Sequence, residues 1–168
     1  LSIFYSDNLF ADKWKNNVVP RVILSGSLGI SEEINSHRRL KIESFRLRKL
    51  ASKETYSLFK KVFLRASLEA LSNASLTTLR MDKQIAALVA KLNPKAIVIT
   101  HEGHAWERIT FSAARREIPE IRCFGYQHAA LFRLQHAIRR DLSTTYNPDR
   151  ILTAGTVSKL QLEYMLSS

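Results

Sequence analysis

Four consecutive residues set two imidazoles, a carboxylate and a glycine side by side: His101-Glu102-Gly103-His104, directly after the apolar-leaning run Ile97-Val98-Ile99-Thr100. A carboxylate among imidazoles can act as a general base that takes a proton from an attacking hydroxyl. Glu102 is the candidate for that role; placed just before a helix, it can instead serve the positive end of the helix dipole. His101 is either a donor that orients a ligand or a buried, hydrogen-bonded histidine. His104 and Glu107 read as first-turn helix residues with structural roles, and Trp106 as core. Gln127 and His128 form a second polar pair at the end of an apolar stretch and read as part of the same site. His136 lies in a basic stretch and reads as surface.

Other chemistries are excluded by spacing. HEGHA is not the zinc-protease pattern HExxH, because residue 105 is Ala. His101, His104 and Glu107 recur every three residues, but the first precedes the helix, so they form a weak metal grip. No metal and no cofactor is expected. No Gly-x-Ser-x-Gly elbow supports a hydrolase triad. The run SGSLG at 25–29 lacks the Gly-Lys-Ser/Thr ending of a phosphate-binding loop and reads as a loop only. Cys123 is the single cysteine; it excludes an internal disulfide and, inside an apolar strand pattern, reads as a buried inert thiol.

The elements that must position these residues are clearest in the second half. An apolar stripe at Leu76, Leu79, Ile85, Leu88, Val89 and Leu92 predicts a helix stopped by Asn93-Pro94. Lys95–Thr100 predicts a strand, Ala105–Arg116 a helix broken by Pro119, and Ile121–Tyr126 a strand. Residues 129–140 read as a short basic helix, Asn147-Pro148 as a turn, Arg150–Ala154 as a strand and Val157–Leu166 as a last helix. This alternation predicts parallel strands with right-handed crossovers. Earlier, a helix is expected from Glu54, Val18–Leu24 is a strand candidate broken by Pro20, and 30–52 is ambiguous between helix and strand. The expected architecture is one partial Rossmann-like α/β domain over 1–168, with 1–73 poorly legible and 74–168 forming the alternating core.

In open parallel sheets, ligands bind at the carboxyl ends of the strands. Three of the five histidines follow such ends. Gly103, Gly125 and Gly155 stand at the three strand ends and permit close backbone approach. Thr156 is a candidate N-cap, and the amides behind it can hold a phosphate or another anion.

Lys and Arg number 26 against 15 Asp and Glu, a net charge of +11, which selects anionic partners. The cations concentrate in 37–65, as a solvated face or a binding surface. The longest apolar runs fall far short of the ~20 residues of a membrane span. The opening LSIFYSDNLF has no basic region followed by an apolar one, so no signal peptide is expected. The missing initiator Met and the stop at Ser168 after a helical pattern are expected of a piece of a longer protein.

HEGHAWER, FGYQHA and PDRILTAG followed by Ser158-Lys159 together resemble bacterial surface-carbohydrate biosynthesis proteins related to two-domain GT-B glycosyltransferases. The resemblance covers roughly residues 94–166 and is carried by the set rather than by any one motif. Glu102, Gly103, Trp106 and Glu107 match its first motif, and Gly125, Gln127 and His128 its second. It implies an acceptor-side Rossmann-like domain, with a nucleotide-sugar donor held by a second domain, and a glycan or lipid-linked acceptor. The implied reaction moves a sugar onto a bacterial surface glycan of lipopolysaccharide, capsule or O-antigen type. For an inverting reaction Glu102 is the candidate base and His101 the second candidate. The implied setting is cytoplasmic and peripheral on the anionic inner membrane. The rival reading is a non-catalytic basic binding or regulatory module; nucleic acid is disfavoured as its partner, because no aromatic-basic RNA motif or helix-turn-helix is present.

Overall fold

The computed structural model describes residues 2–5, 21–132 and 137–167. The chain divides into two compact units, Leu1–Met81 and Asp82–Ser168, with the boundary inside a helix.

In the first unit, β1 (Ser2–Tyr5) pairs in parallel with β2 (Arg21–Leu24), Ser2 opposite Arg21. Of the predicted strand at 18–24, the first three residues lie outside the described ones. The loop at 25–29 leads into α1 (Ile30–Lys53), which resolves the ambiguous stretch as a helix of 24 residues. Its first turn is anchored by Glu33, which accepts from the Leu28 N–H at 2.7 Å and pairs with Arg80 through two contacts of 2.8 Å. The Arg80 bonds, with the Leu28 N–H, hold the Glu33 carboxyl down at about 2. Next come α2 (Ser57–Glu69) and the start of α3 (Asn73–Leu92). The side chains that these two helices bury are small: Ser36, Ser44 and Ala51 on α1 and Ser67 on α2. Small groups let the backbones approach, and the Ser44 hydroxyl donates to the Ser67 carbonyl at 2.8 Å.

In the second unit, α3 ends where Asn93 takes a left-handed φ of 46° ahead of Pro94. Then follow β3 (Ala96–Thr100), α4 (Ala105–Glu117), β4 (Arg122–Gln127), β5 (Arg150–Thr153) and α5 (Thr156–Ser167). The sheet is open, ordered β3-β4-β5, and parallel at both pairings, as the alternation predicts. The predicted basic helix is not found: 129–132 and 137–140 are non-helical, and 133–136, with His136, lie outside the described residues. The carbonyls of 137 and 140 instead accept from a side chain of α4, as described below.

Opposed residues of a parallel pair share a face. Ile97 with Cys123, and Ile99 with Gly125 and Ile151, therefore line one side. Val98, Phe124, Tyr126 and Leu152 belong to the other. The first side is covered: Cys123 and Gln127 are fully buried, and α4 packs there through Phe111. The second leaves Val98 60% exposed. No helix among the described residues is long and apolar enough to cross a membrane.

Candidate functional site

The carboxyl end of β3 turns into α4 through residues 101–104. The turn is built around Glu107, three residues into the helix from its N-cap His104. One Glu107 oxygen accepts the backbone N–H of Glu102 at 2.9 Å, of Gly103 at 2.7 Å and of His104 at 2.8 Å. Three successive amides thus form an anion-holding nest whose anion belongs to the chain itself. Burial alone would raise the Glu107 carboxyl. The facing His101 imidazole and the amides of Glu102 and His104 outweigh it and hold the group below the usual glutamate range.

Gly103 makes the turn possible. Its φ is +88°, and a Cβ there would stand 2.2–2.4 Å from backbone atoms of Ala137 and Ile138. That neighbouring segment is held by Arg108, only 4% exposed. Its guanidinium donates to the carbonyls of Ala137 at 2.9 Å, Arg140 at 2.8 Å and Gly103 at 3.4 Å, and to the Asn147 side chain. Arg115 and Asp149 make a second clamp: Arg115 donates to Asp149 at 2.7 Å, and Asp149 accepts from the Cys123 N–H at 2.6 Å. Burial pushes the Cys123 thiol up to about 11, as expected of an inert core cysteine.

His101 extends the strand ladder, its N–H donating to the Tyr126 carbonyl at 2.9 Å. Its side chain is 1% exposed and packs on Phe111 with ring centres 5.8 Å apart. Nδ1 stands 3.4 Å from a Glu107 oxygen and makes no well-formed hydrogen bond. Gly125 provides its seat, since a Cβ there would fall 2.8 Å from the His101 Cβ. Gln127 is equally buried; its amide donates to the Ala129 carbonyl, and its Oε1 has no hydrogen-bond partner. His128, by contrast, is exposed and stacks on Tyr126 at 6.0 Å.

This placement corrects the expectation that His101 and His128 share a cleft with Glu102. Thr100 opposes Tyr126, so His101, one residue on, continues the covered side. His128 follows the open side through Tyr126. The two imidazoles stand on opposite faces because side chains alternate along a strand. The polar groups at the β3 end that reach solvent are Glu102 and His104: their side chains are 28% and 55% exposed, with Oε2 and Nε2 3.4 Å apart. At the β5 end, the Lys159 N–H donates to the Gly155 carbonyl, which makes Gly155 the cap and Thr156 the first helical residue, one position later than an N-cap. The Thr153 hydroxyl also donates to Gly155.

A cavity of about 410 Å³ opens between β5 and α5, lined by Ile151, Leu152, Thr153, Lys159, Leu162 and Glu163. None of the acid or imidazole candidates borders it. Among the described residues, no three His, Cys, Asp or Glu side chains stand together as metal ligands.

Arg108 lies in HEGHAWER, Asp149 in PDRILTAG and Asn147 in the predicted turn, but the clamping roles of these residues and of Arg115 are not marked in the sequence, because they depend on partners 26–39 residues away. The chain matches no family model, no curated protein and no solved structure.

Proposed function

We propose that the chain is the acceptor-side, Rossmann-like part of a GT-B-type glycosyltransferase, which moves a sugar from a nucleotide-sugar donor to a bacterial surface glycan. The observation that carries this reading is the Glu102–His104 pair at the carboxyl end of β3. Both acids of the turn are needed for different tasks. Glu107 is committed to three backbone amides, whereas the Glu102 carboxylate faces solvent beside an imidazole. An acceptor hydroxyl must lose its proton as it attacks the anomeric carbon, and Glu102 is the carboxylate free of backbone duty to take it. His104 holds that carboxylate in place. His101, Gly103, Gly125 and Gln127 then act as scaffold, and the donor is held by a second domain of the same protein.

Glu102→Gln tests the reading. It should be made in the protein expressed from its whole gene and assayed by nucleotide release from UDP- and GDP-sugars with membrane glycolipid as acceptor. Transfer should fall by about 10² or more with an unchanged melting temperature. Wild-type turnover in the folded variant rejects Glu102 as base. If Glu102 serves only the helix dipole, stability falls by about 0.3–1 kcal/mol instead. No nucleotide release from any donor by the unsubstituted protein favours the non-catalytic module.

A further inference from the structure

Helix α1 carries its charges and its large apolar side chains in an arrangement that packing within the chain does not explain. Its buried residues are Ser36, Ser44 and Ala51. Leu40 and Leu47 are half-buried, but four bulky residues face out: Ile30 is 83% exposed, Ile34 62%, Ile42 58% and Phe45 70%. At 3.6 residues per turn these four fall within one half of the circumference, opposite the buried stripe. The same half holds Arg38, Lys41, Arg46, Arg48, Lys49 and Lys53. The three acids of the helix, Glu32, Glu33 and Glu43, all fall on the other half. Glu33 is tied to Arg80 and Glu43 to Arg46.

We propose that this outer half of α1 docks on an anionic lipid surface, its cations at the headgroups and Ile30, Ile34, Ile42 and Phe45 pressed into the acyl boundary. Exposed apolar clusters on this scale mark interaction surfaces. Apolar side chains interleaved with Lys and Arg on a helix too charged to span describe one that lies in the plane of the interface. The helix offers about 36 Å of length to that plane. A second copy of the same face is disfavoured as the occupant, because it would bring six cations against six, of which Arg46 alone is paired with an acid of the helix, Glu43. The proposal rests on α1 alone and stands whether or not the chain transfers sugars.

Co-sedimentation of the full chain with phosphatidylcholine vesicles, with and without about one-third phosphatidylglycerol, reads it directly. Binding should require the anionic lipid and weaken steeply between about 50 and about 500 mM NaCl. The triple variant Arg38→Gln/Lys41→Gln/Arg48→Gln should bind about 100-fold more weakly, at about 5-fold per cation. Ile34→Ser/Phe45→Ser, which keeps every charge, should weaken binding about 10-fold or more, since each apolar side chain loses its insertion. Circular dichroism checks that both variants keep their helices, and Phe45→Leu, which keeps an insertable side chain, should retain vesicle binding. Equal binding to neutral and anionic vesicles overturns the proposal. So does full affinity in Ile34→Ser/Phe45→Ser, or equally tight binding to a short DNA duplex that ignores that variant. A lipid-free dimer abolished by the same double variant assigns the face to a second copy instead.

Discussion

Helices α1 and α4 sort their residues in opposite ways. α4 buries an acid, a guanidinium and a hydroxyl, Glu107, Arg108 and Thr110, beside Phe111, Ala113 and Ala114. α1 buries two serines and an alanine and leaves three isoleucines and a phenylalanine in solvent. The difference is one of partners rather than of residue type. Every buried polar group on α4 has a place to bond: three amides for Glu107, four acceptors for Arg108, and the Trp106 carbonyl at 2.7 Å for Thr110. A buried charge so satisfied organises the turn before the helix, whereas the same charge unpaired would not remain buried. On α1 the partner is α2, and what that contact requires is close approach, which small side chains permit. The apolar side chains left over stay largely exposed among the described residues.

The sharpest way to break this comparison is to remove the acid that α4 buries. Glu107→Ala leaves three consecutive, part-buried N–H donors without their acceptor and should cost roughly 3 kcal/mol in urea unfolding. The pH dependence should change with it. The folded Glu107 carboxyl lies below its ordinary value of 4.5, so its contribution is present above that value and is lost as pH falls through the folded one. Wild-type protein should therefore lose stability on acidification below about pH 4.5, and Glu107→Ala should lose correspondingly less over the same range. A variant with wild-type stability and an unchanged acid limb would show that water replaces the carboxylate, and the turn is then not organised by it. Gly103→Ala comes next, at about 2 kcal/mol. It combines a left-handed φ with a Cβ driven into the Ala137–Ile138 backbone. An equally stable Gly103→Ala would mean that the 137–140 segment yields easily and that Arg108 clamps a loose strap.

These contrasts also show what a linear reading can reach. From Lys95 onward the three strands and the helices α4 and α5 are legible, because a β-branched run follows Asn93-Pro94 and their breaks carry Pro or Gly, whereas the helix read between β4 and β5 is absent among the described residues. The structural role of Glu107 is legible too, as a first-turn acid. α1 is not, because its periodicity misleads: pattern rules seek the apolar stripe that faces a core, and here the fully buried residues are serine and alanine beside half-buried Leu40 and Leu47, while three isoleucines and a phenylalanine are exposed. The strand-end positions of His101, Gly125 and Gln127 are legible, but their duties are not. That Gly125 clears space for His101 depends on the β3–β4 register, with Ile99 opposite Gly125. That His101 and His128 part company depends on the same register. Arg108 is least legible of all, since its acceptors come from residues 103 to 147 and meet only after the fold closes.

The smallest expected effect is the one that probes α1 itself. A large apolar side chain buried against protein contributes to stability, whereas one already in water contributes almost nothing when it is made polar. Ile34→Ser and Phe45→Ser should therefore each change unfolding stability by less than about 0.5 kcal/mol. Ile85→Ala on α3, where the side chain is 3% exposed, supplies the contrast and should cost about 2–5 kcal/mol. Urea unfolding of the three variants without lipid makes the measurement. If Ile34→Ser or Phe45→Ser costs 1 kcal/mol or more, the outer face of α1 is covered in lipid-free solution, and α1 and α4 obey one rule after all. If both are silent while Ile85→Ala is costly, the exposed side chains are spared from folding and kept for a surface outside the chain.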